Sequence, residues 1–206
     1  MALKITMYSD FVCPFCYIGF DVIRKLKSEF DIQLEWRGFQ IHPEWPAEGI
    51  AADKLRSAGD LDARHAAWRR IAALAEAEGL EMKAPALLAN SRAALLAAEL
   101  ANDQGRGEEF EARVYRAYFN EGGNIGDPAF LARIAAEAGL DPAAVAGTMN
   151  SPHYETRLRD NALAADRRGV SGVPTFLIGE YPLVGAQPTH VMRQLLKRAA
   201  ERFGVR

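Results

Sequence analysis

The chain has 206 residues, of which 49% are hydrophobic and 25% charged, a balance that suits a globular domain with a core of useful size and excludes a disordered or fibrous chain. Its formal net charge of −2, with no clustered basic stripe, supplies no field for nucleic acid or anionic lipid, so neither partner is expected. No run approaches the roughly 18 apolar residues of a membrane span, and the opening MALKITMYSD reaches an acidic residue before a signal segment can form, so the expected setting is cytoplasmic, with no membrane.

Leu3 to Tyr8 place Leu3, Ile5 and Met7 on one face and read as a first strand. The segment SDFVCPFC follows at once. From Pro14 onward, Ile18, Val22, Leu26 and Phe30 recur at every fourth position with Lys25, Lys27, Ser28 and Glu29 between them, the pattern of a helix with one buried face. Cys13 falls at its N-cap and Pro14 at the first helical position, where a missing N–H is harmless. FDIQLEWRGF sets Ile32, Leu34 and Trp36 against Gln33, Glu35 and Arg37 and reads as a second strand, completing a β-α-β unit.

After the loop IHPEWPAEG the chain becomes rich in Ala, Leu, Glu and Arg without a strand pattern. Helices are expected over 61–78, 91–104, 107–120, 128–138 and 152–168, punctuated by GD at 59–60, NS at 90–91, GDP at 126–128, LDP at 140–142 and SP at 151–152. Beyond Gly169, VPTFLIG and YPLVGA are short strand runs spaced for an antiparallel hairpin. A last helix from about Pro188 to Phe203 carries Val191, Leu195 or Leu196, and Ala199 on one face.

Cys13 and Cys16 are the only cysteines. A bridge between them would close almost no loop and restrain little of the unfolded chain, so they are not a structural staple. A zinc site needs four ligands, and neither a second pair nor a suitable spacing among His42, His65, His153 and His190 supplies them, so no metal is expected. A Cys-x-x-Cys that follows the first strand of a β-α-β unit is a redox signature. At a helix N-terminus the Cys13 thiolate is favoured by the dipole and free N–H groups, which makes it the attacking sulfur. Cys16, one turn inside on the same face, is placed to resolve a mixed disulfide.

Pro14 and Phe15 crowd Cys13 and so influence its poise. Asp10 and Glu35 are the acids expected nearest the motif, where a buried carboxylate could relay the proton Cys16 loses. His42 follows the second strand and could face the active-site groove. Asn90 and Ser91 read first as a helix cap. Trp45, Trp68, Phe110, Tyr118 and Phe119 read as helical core, with some available to line a groove. Pro174, in GVSGVPTFLI, stands where a strand begins, as a residue without an N–H must. The residues alone leave the isomer of the Val173–Pro174 bond open.

Taken together, CPFC at a helix start, the long helical block, GVSGVPTF and the hairpin resemble the DsbA-like branch of the thioredoxin superfamily, and within it the FrnE-like group, over essentially the whole chain. AYFNEGGNIGDPAFLARIAAEAGLD (117–141) and YPLVGAQP (181–188) add to the likeness. The resemblance implies an α/β thioredoxin fold, β-α-β … β-β-α, with a large all-helical domain inserted between the second strand and the cis-proline strand. Residues 1–40 and 169–206 would form the thioredoxin-like domain and 41–168 the insert.

It further implies a thiol–disulfide oxidoreductase, with Cys13 as nucleophile, Cys16 as resolving thiol, a cis Val173–Pro174 bond, and Phe15, Val173 and Pro174 contacting substrate. Thiol- or disulfide-bearing proteins, peptides or small molecules would be the partners. No cofactor is required, with glutathione available as redox partner or cofactor. The same branch contains glutathione-dependent 2-hydroxychromene-2-carboxylate isomerases and kappa-class transferases, the alternative activity, whose catalytic position usually carries serine where this chain has Cys13. A thiol-based peptide-binding or redox-sensing module is the non-enzymatic alternative.

Overall fold

The computed structural model describes residues 2–55 and 58–205, the side chains of 55 and 58–61 excepted. Strand β1 (Leu3–Ser9) buries Leu3, Ile5 and Met7 on one face, as the alternation predicts. Ser9, on the same face, is buried as well, and so is Tyr8 on the opposite face, where it packs in a cluster with Ala165, Val170 and Leu177. Helix α1 (Pro14–Leu26) starts with extended Cys13 as N-cap and Pro14 in its first turn. Burying Ile18, Val22 and Leu26 contributes about 1.5–3 kcal/mol each.

The expected continuation of α1 to Phe30 does not form. Ser28 N–H bonds Lys25 O at 3.3 Å and Glu29 N–H bonds Leu26 O at 3.0 Å, tighter turns that close the helix and return Phe30 to the core. Strand β2 (Ile32–Gly38) then lies parallel to β1, with Leu34 opposite Ile5 and Trp36 opposite Met7, as a crossover through a helix requires.

Strands β5 (Thr175–Ile178) and β6 (Tyr181–Val184) complete the sheet in the order β2-β1-β5-β6, both pairings antiparallel. Gly179, at φ +63°, opens the tight turn of the β5–β6 hairpin, a conformation other residues avoid. The terminal helix α8 (Thr189–Phe203) packs on α1 and β1 and buries Met192 and Leu196; Leu195, Val191 and Ala199 are only partly covered.

Between β2 and β5 come β3 (Ile50–Ala51), a 3-10 turn (Ala52–Leu55), α2 (Ala58–Ala77), β4 (Leu87–Leu88), α3 (Arg92–Asp103), α4 (Gly107–Phe119), α5 (Pro128–Glu137), α6 (Pro142–Thr148) and α7 (Pro152–Arg167). This is the helical insertion the pattern predicts, with two corrections. Ile50 pairs with Leu88 in a two-residue ladder, so the block is not all-helical; a strand this short leaves no alternation to read. Helix α2 begins at Ala58, so the Gly–Asp pair at 59–60 lies inside its first turn rather than ahead of it.

The other caps follow the sequence. Prolines open α5, α6 and α7, and Asp127 and Asp141 accept the N–H of Ala129 and Ala143 at 2.9 and 3.0 Å. One continuous core joins the sheet, α1 and the helical block. A smaller core of Tyr8, Ala165, Val170 and Leu177 includes α7, which also packs on β2.

Candidate active site

The chain leaves β1 at Ser9 and turns into α1 over a segment anchored by Phe11, whose ring stacks on Trp36 at 4.8 Å and meets the edge of Tyr115 at 5.0 Å. Within that turn Cys13 N–H donates to Asp10 O at 3.2 Å, and Cys13 O accepts from Cys16 N–H at 3.1 Å and Tyr17 N–H at 3.3 Å. Both thiols are free. Cys13 keeps 6% of its surface and Cys16 none, while Phe15 between them is 38% exposed.

Cys13's thiol lies below its ordinary value, first because the Cys16 thiol hydrogen-bonds it; the Cys16 and Phe15 N–H groups add to this, against burial and the charge of Asp10. Cys16 is pushed well up, first by burial and then by its bond to Cys13, against the Ser9 hydroxyl and the Asp10 N–H. The outer sulfur is thus the one that ionises and the inner one holds its proton.

The Val173–Pro174 peptide bond is cis, and Cys13 Sγ donates to Val173 O at 3.7 Å. Pro174 O accepts from Gly185 N–H at 2.8 Å, which fixes the start of β5. The two sequence motifs therefore meet, with the backbone of Val173 beside the outer sulfur.

Asp10 is fully buried behind the motif, where it accepts Val12 N–H at 3.3 Å and Ile41 N–H at 2.8 Å. Burial raises its carboxyl, and these bonds oppose the rise. Glu35 is not part of this group: it accepts from the Thr6 hydroxyl at 3.0 Å and from Arg37 at 2.6 Å on the sheet. His42 bonds Glu44 at 2.9 Å and stacks on Trp45 at 3.9 Å, clamping its loop. Asn90 is a connector, accepting from Gln40 Nε2 at 2.9 Å and Arg92 N–H at 2.9 Å and donating to Trp45 O at 2.5 Å. Ser91, the N-cap of α3, turns a buried hydroxyl toward Asp10, close enough to lower its carboxyl though outside regular hydrogen-bond geometry.

A cavity of about 840 Å³ opens beside the motif, lined by Val12, Pro14, Trp45, Trp68, Tyr118 and Phe119, with Arg64 in its wall held by Ala52 O. Tyr118 donates to Leu87 O at 3.1 Å and steadies that wall. Phe110, by contrast, is fully buried core. Among the described residues, no three His, Cys, Asp or Glu converge as a metal would need.

Two residues that sequence reasoning passed over meet beneath the turn into α1, Ser9 at the end of β1 and Tyr115 of α4. Ser9 Oγ and Tyr115 Oη lie 2.6 Å apart, both buried. A tyrosine on the apolar face of α4 was the available signal, since a buried phenol needs a partner.

A Cys-x-x-Cys pair at the start of the first helix, faced by a cis-proline where an antiparallel strand begins, defines a thioredoxin-type fold that here carries helices between its second and third main-sheet strands. The chain belongs to the family of DSBA-like thioredoxin domains, whose family model matches residues 4–197. It is 28% identical over 199 residues to the uncharacterized protein YwbO of Bacillus subtilis (strain 168), covering 95% of this chain and 96% of that one.

Among solved structures it is similar to a probable DsbA oxidoreductase of Streptomyces coelicolor, at 27% identity and TM-score 0.82, covering 95% of this chain and 89% of that one. A 2-hydroxychromene-2-carboxylate isomerase shares the fold at 20% identity and TM-score 0.77, with 98% of each chain covered. So does the cytosolic disulfide reductase DsbM of Pseudomonas aeruginosa, solved with GSH, at 19% identity and TM-score 0.69, covering 95% of this chain and 100% of that one. Among the described residues no helix is long and apolar enough to cross a membrane.

Proposed function

We propose that the protein is a thiol–disulfide oxidoreductase in which Cys13 attacks and Cys16 resolves. The observation that carries this reading is the opposed behaviour of the two thiols, the outer lowered by its hydrogen bond from Cys16 and the inner raised by burial. The Cys13 thiolate attacks a substrate disulfide R–S–S–R′, expels R′–S⁻ and forms Cys13–S–S–R. Cys16 then attacks Cys13 Sγ, R–SH departs, and the protein is left with the Cys13–Cys16 disulfide; the reverse sequence oxidises a dithiol. Both electrons reside on the two sulfurs, so the exchange requires no cofactor.

Val173 and Pro174 offer backbone beside Cys13 to an extended thiol-bearing protein, peptide or small molecule, paired as a short added strand. Exposed Phe15 and the cavity beside Pro14 receive its apolar parts. Residues 1–40 with 169–206 carry the exchange, and 41–168 shape the substrate side. Glutathione is the proposed redox partner and the cytoplasm the proposed setting, in keeping with the DsbM structure, described as cytosolic and solved with GSH.

The test is Cys16→Ser, which should accumulate mixed disulfides through Cys13 and lose disulfide reduction in an insulin or small-dithiol assay. The cavity beside Cys13 also suits a glutathione-dependent isomerase or transferase. Full glutathione-dependent isomerisation by Cys16→Ser, with Cys13→Ser active too, would put that second reading in place of the first.

A further inference from the structure

We infer that Glu78 is a positioning residue for substrate: its carboxylate caps α8 from the end of α2, holds α2 as a wall of the cavity beside Cys13, and so sets how tightly a bulky aromatic disulfide is bound. This rests on the reading of that cavity as the receiver of a substrate's apolar parts. Helix α8 begins without a cap of its own, because its N-cap is Pro188, which has no side-chain acceptor. The acceptor comes from a distant part of the chain. Both Glu78 carboxylate oxygens lie 3.2 Å from Thr189 N, whose N–H they accept, and one of them also accepts the Thr189 hydroxyl at 2.5 Å. A carboxylate in this place also meets the positive end of the helix dipole.

The backbone of the same residue is tied to α1. Glu78 O accepts from Lys25 Nζ in the last turn of α1, and just beyond it Leu80 N–H closes on Ala75 O at 2.9 Å. Among residues 62–77 only Ala75 is buried, whereas Leu74 is 52% exposed. Packing along its length therefore does little to hold α2, and the anchorage falls to its ends. Arg64, about 20 Å from the Glu78 end, donates to Ala52 O, and between them Trp68 stacks on Phe119 at 6.2 Å.

A clamp between two helices could act on either, and burial decides which. Helix α8 is fixed by fully buried Met192 and Leu196, and the loop before it by Gly185 N–H on Pro174 O at 2.8 Å. Loss of the clamp therefore frees α2 and leaves α8 and the cis-proline in place. Trp68 and Ile71 of α2 line the cavity together with Val12 and Pro14, the residues on either side of Cys13. An aromatic group bound there depends on Trp68 and loses that contact when α2 tilts. A disulfide with short aliphatic arms reaches Cys13 without needing α2.

The experiment mixes reduced protein with excess 5,5′-dithiobis(2-nitrobenzoate) or 2-hydroxyethyl disulfide and follows the loss of protein thiols as disulfide concentration rises, which separates half-saturation from limiting rate. Glu78→Ala should raise half-saturation for the aromatic disulfide about fivefold, the effect of losing one cap, and leave its limiting rate and the reaction of the aliphatic disulfide unchanged. Thr189→Val, which removes the hydroxyl and keeps the N–H, should give a smaller rise in the same direction, and Thr189→Ser should match the wild type. Trp68→Ala should weaken binding of the aromatic disulfide too, and Glu78→Ala should add little to it, because Glu78 acts by placing Trp68. Amide hydrogen exchange over 62–77 should quicken in Glu78→Ala while β1 and β5 keep wild-type protection. Equal losses for both disulfides, fully additive effects with Trp68→Ala, or wild-type half-saturation in Glu78→Ala overturn the inference and leave Cys13 and Cys16 in their roles. A wild-type protein whose thiols neither disulfide oxidises overturns both readings. If Glu78→Ala does not fold, the half-saturation of Thr189→Val decides.

Discussion

Cys13 owes its ionisation more to a neighbouring side chain than to the helix it caps, since the Cys16 thiol leads the causes and the backbone N–H groups follow. Replacing Cys16 with Ala removes that donor and leaves burial and the Asp10 charge in place. The backbone N–H groups remain too, and without the Cys16 thiol the pH midpoint for alkylation of Cys13 should rise. Asp10→Asn should move the midpoint the other way, because it removes a charge that opposes the thiolate. A midpoint unmoved by Cys16→Ala would show that the dipole alone sets it. The lowering of the Cys13 thiol was legible from the N-cap position, but the dominant cause was not, since it depends on how side chains turn. Nor could the sequence choose between Asp10 and Glu35. Asp10 follows the end of β1 and is buried with the motif, whereas Glu35 pairs with Thr6 inside the sheet.

Helix α1 can approach β5 because Gly19 carries no side chain there. A Cβ at 19 would lie 2.8 Å from Phe176 Cζ and 3.5 Å from Pro174 Cγ, and Phe176 is fully buried with no room to swing. Helix propensity alone favours Ala over Gly by up to about 1 kcal/mol. Overpacking wins here, so Gly19→Ala should destabilise the protein by about 1–3 kcal/mol in denaturant unfolding. Gly147, in α6, has nothing within 4 Å of its would-be Cβ. There the same change should stabilise by about 0.5–1 kcal/mol, and two shifts of equal sign would discard the packing argument. Elements with strong periodicity or a proline at N1 were legible, as α1, α5 and α7 were. The end of α1 at Leu26 was not, because Phe30 keeps the four-residue spacing after the backbone has left the helix. The Ile50–Leu88 ladder was not either, because its partners are distant in sequence and only two residues long.

At the scale of the whole molecule, the order of strands and helices was legible because each change of hydrophobic period marks a change of element, and the covering of both sheet faces follows from it. What that scale adds is a link between the redox state and stability. The oxidised protein has neither thiol, so subtracting its unfolding free energy from that of the reduced protein cancels every other titrating group to first order and leaves the pair. Cys13 is lowered and Cys16 raised well above a common value of 9.0. Between the folded Cys13 midpoint and 9.0, the native reduced protein has lost one proton and the unfolded chain none, so the reduced form gains stability as pH rises. Above 9.0 the unfolded chain loses both protons while native Cys16 keeps its own, and the gain is given back. Urea unfolding of both forms between about pH 6 and about pH 11 should give a difference curve with a maximum near 9 and slopes no steeper than about 1.4 kcal/mol per pH unit on either side. The rising limb belongs to Cys13 and the falling limb to Cys16. In the Cys16→Ala protein, compared with its own Cys13-alkylated form, the rising limb should shrink because the first of the donors that lower Cys13 is gone. A flat difference curve for the wild type would mean that the fold leaves both thiols at their unfolded values, and the separate roles of Cys13 and Cys16 would lose their electrostatic basis.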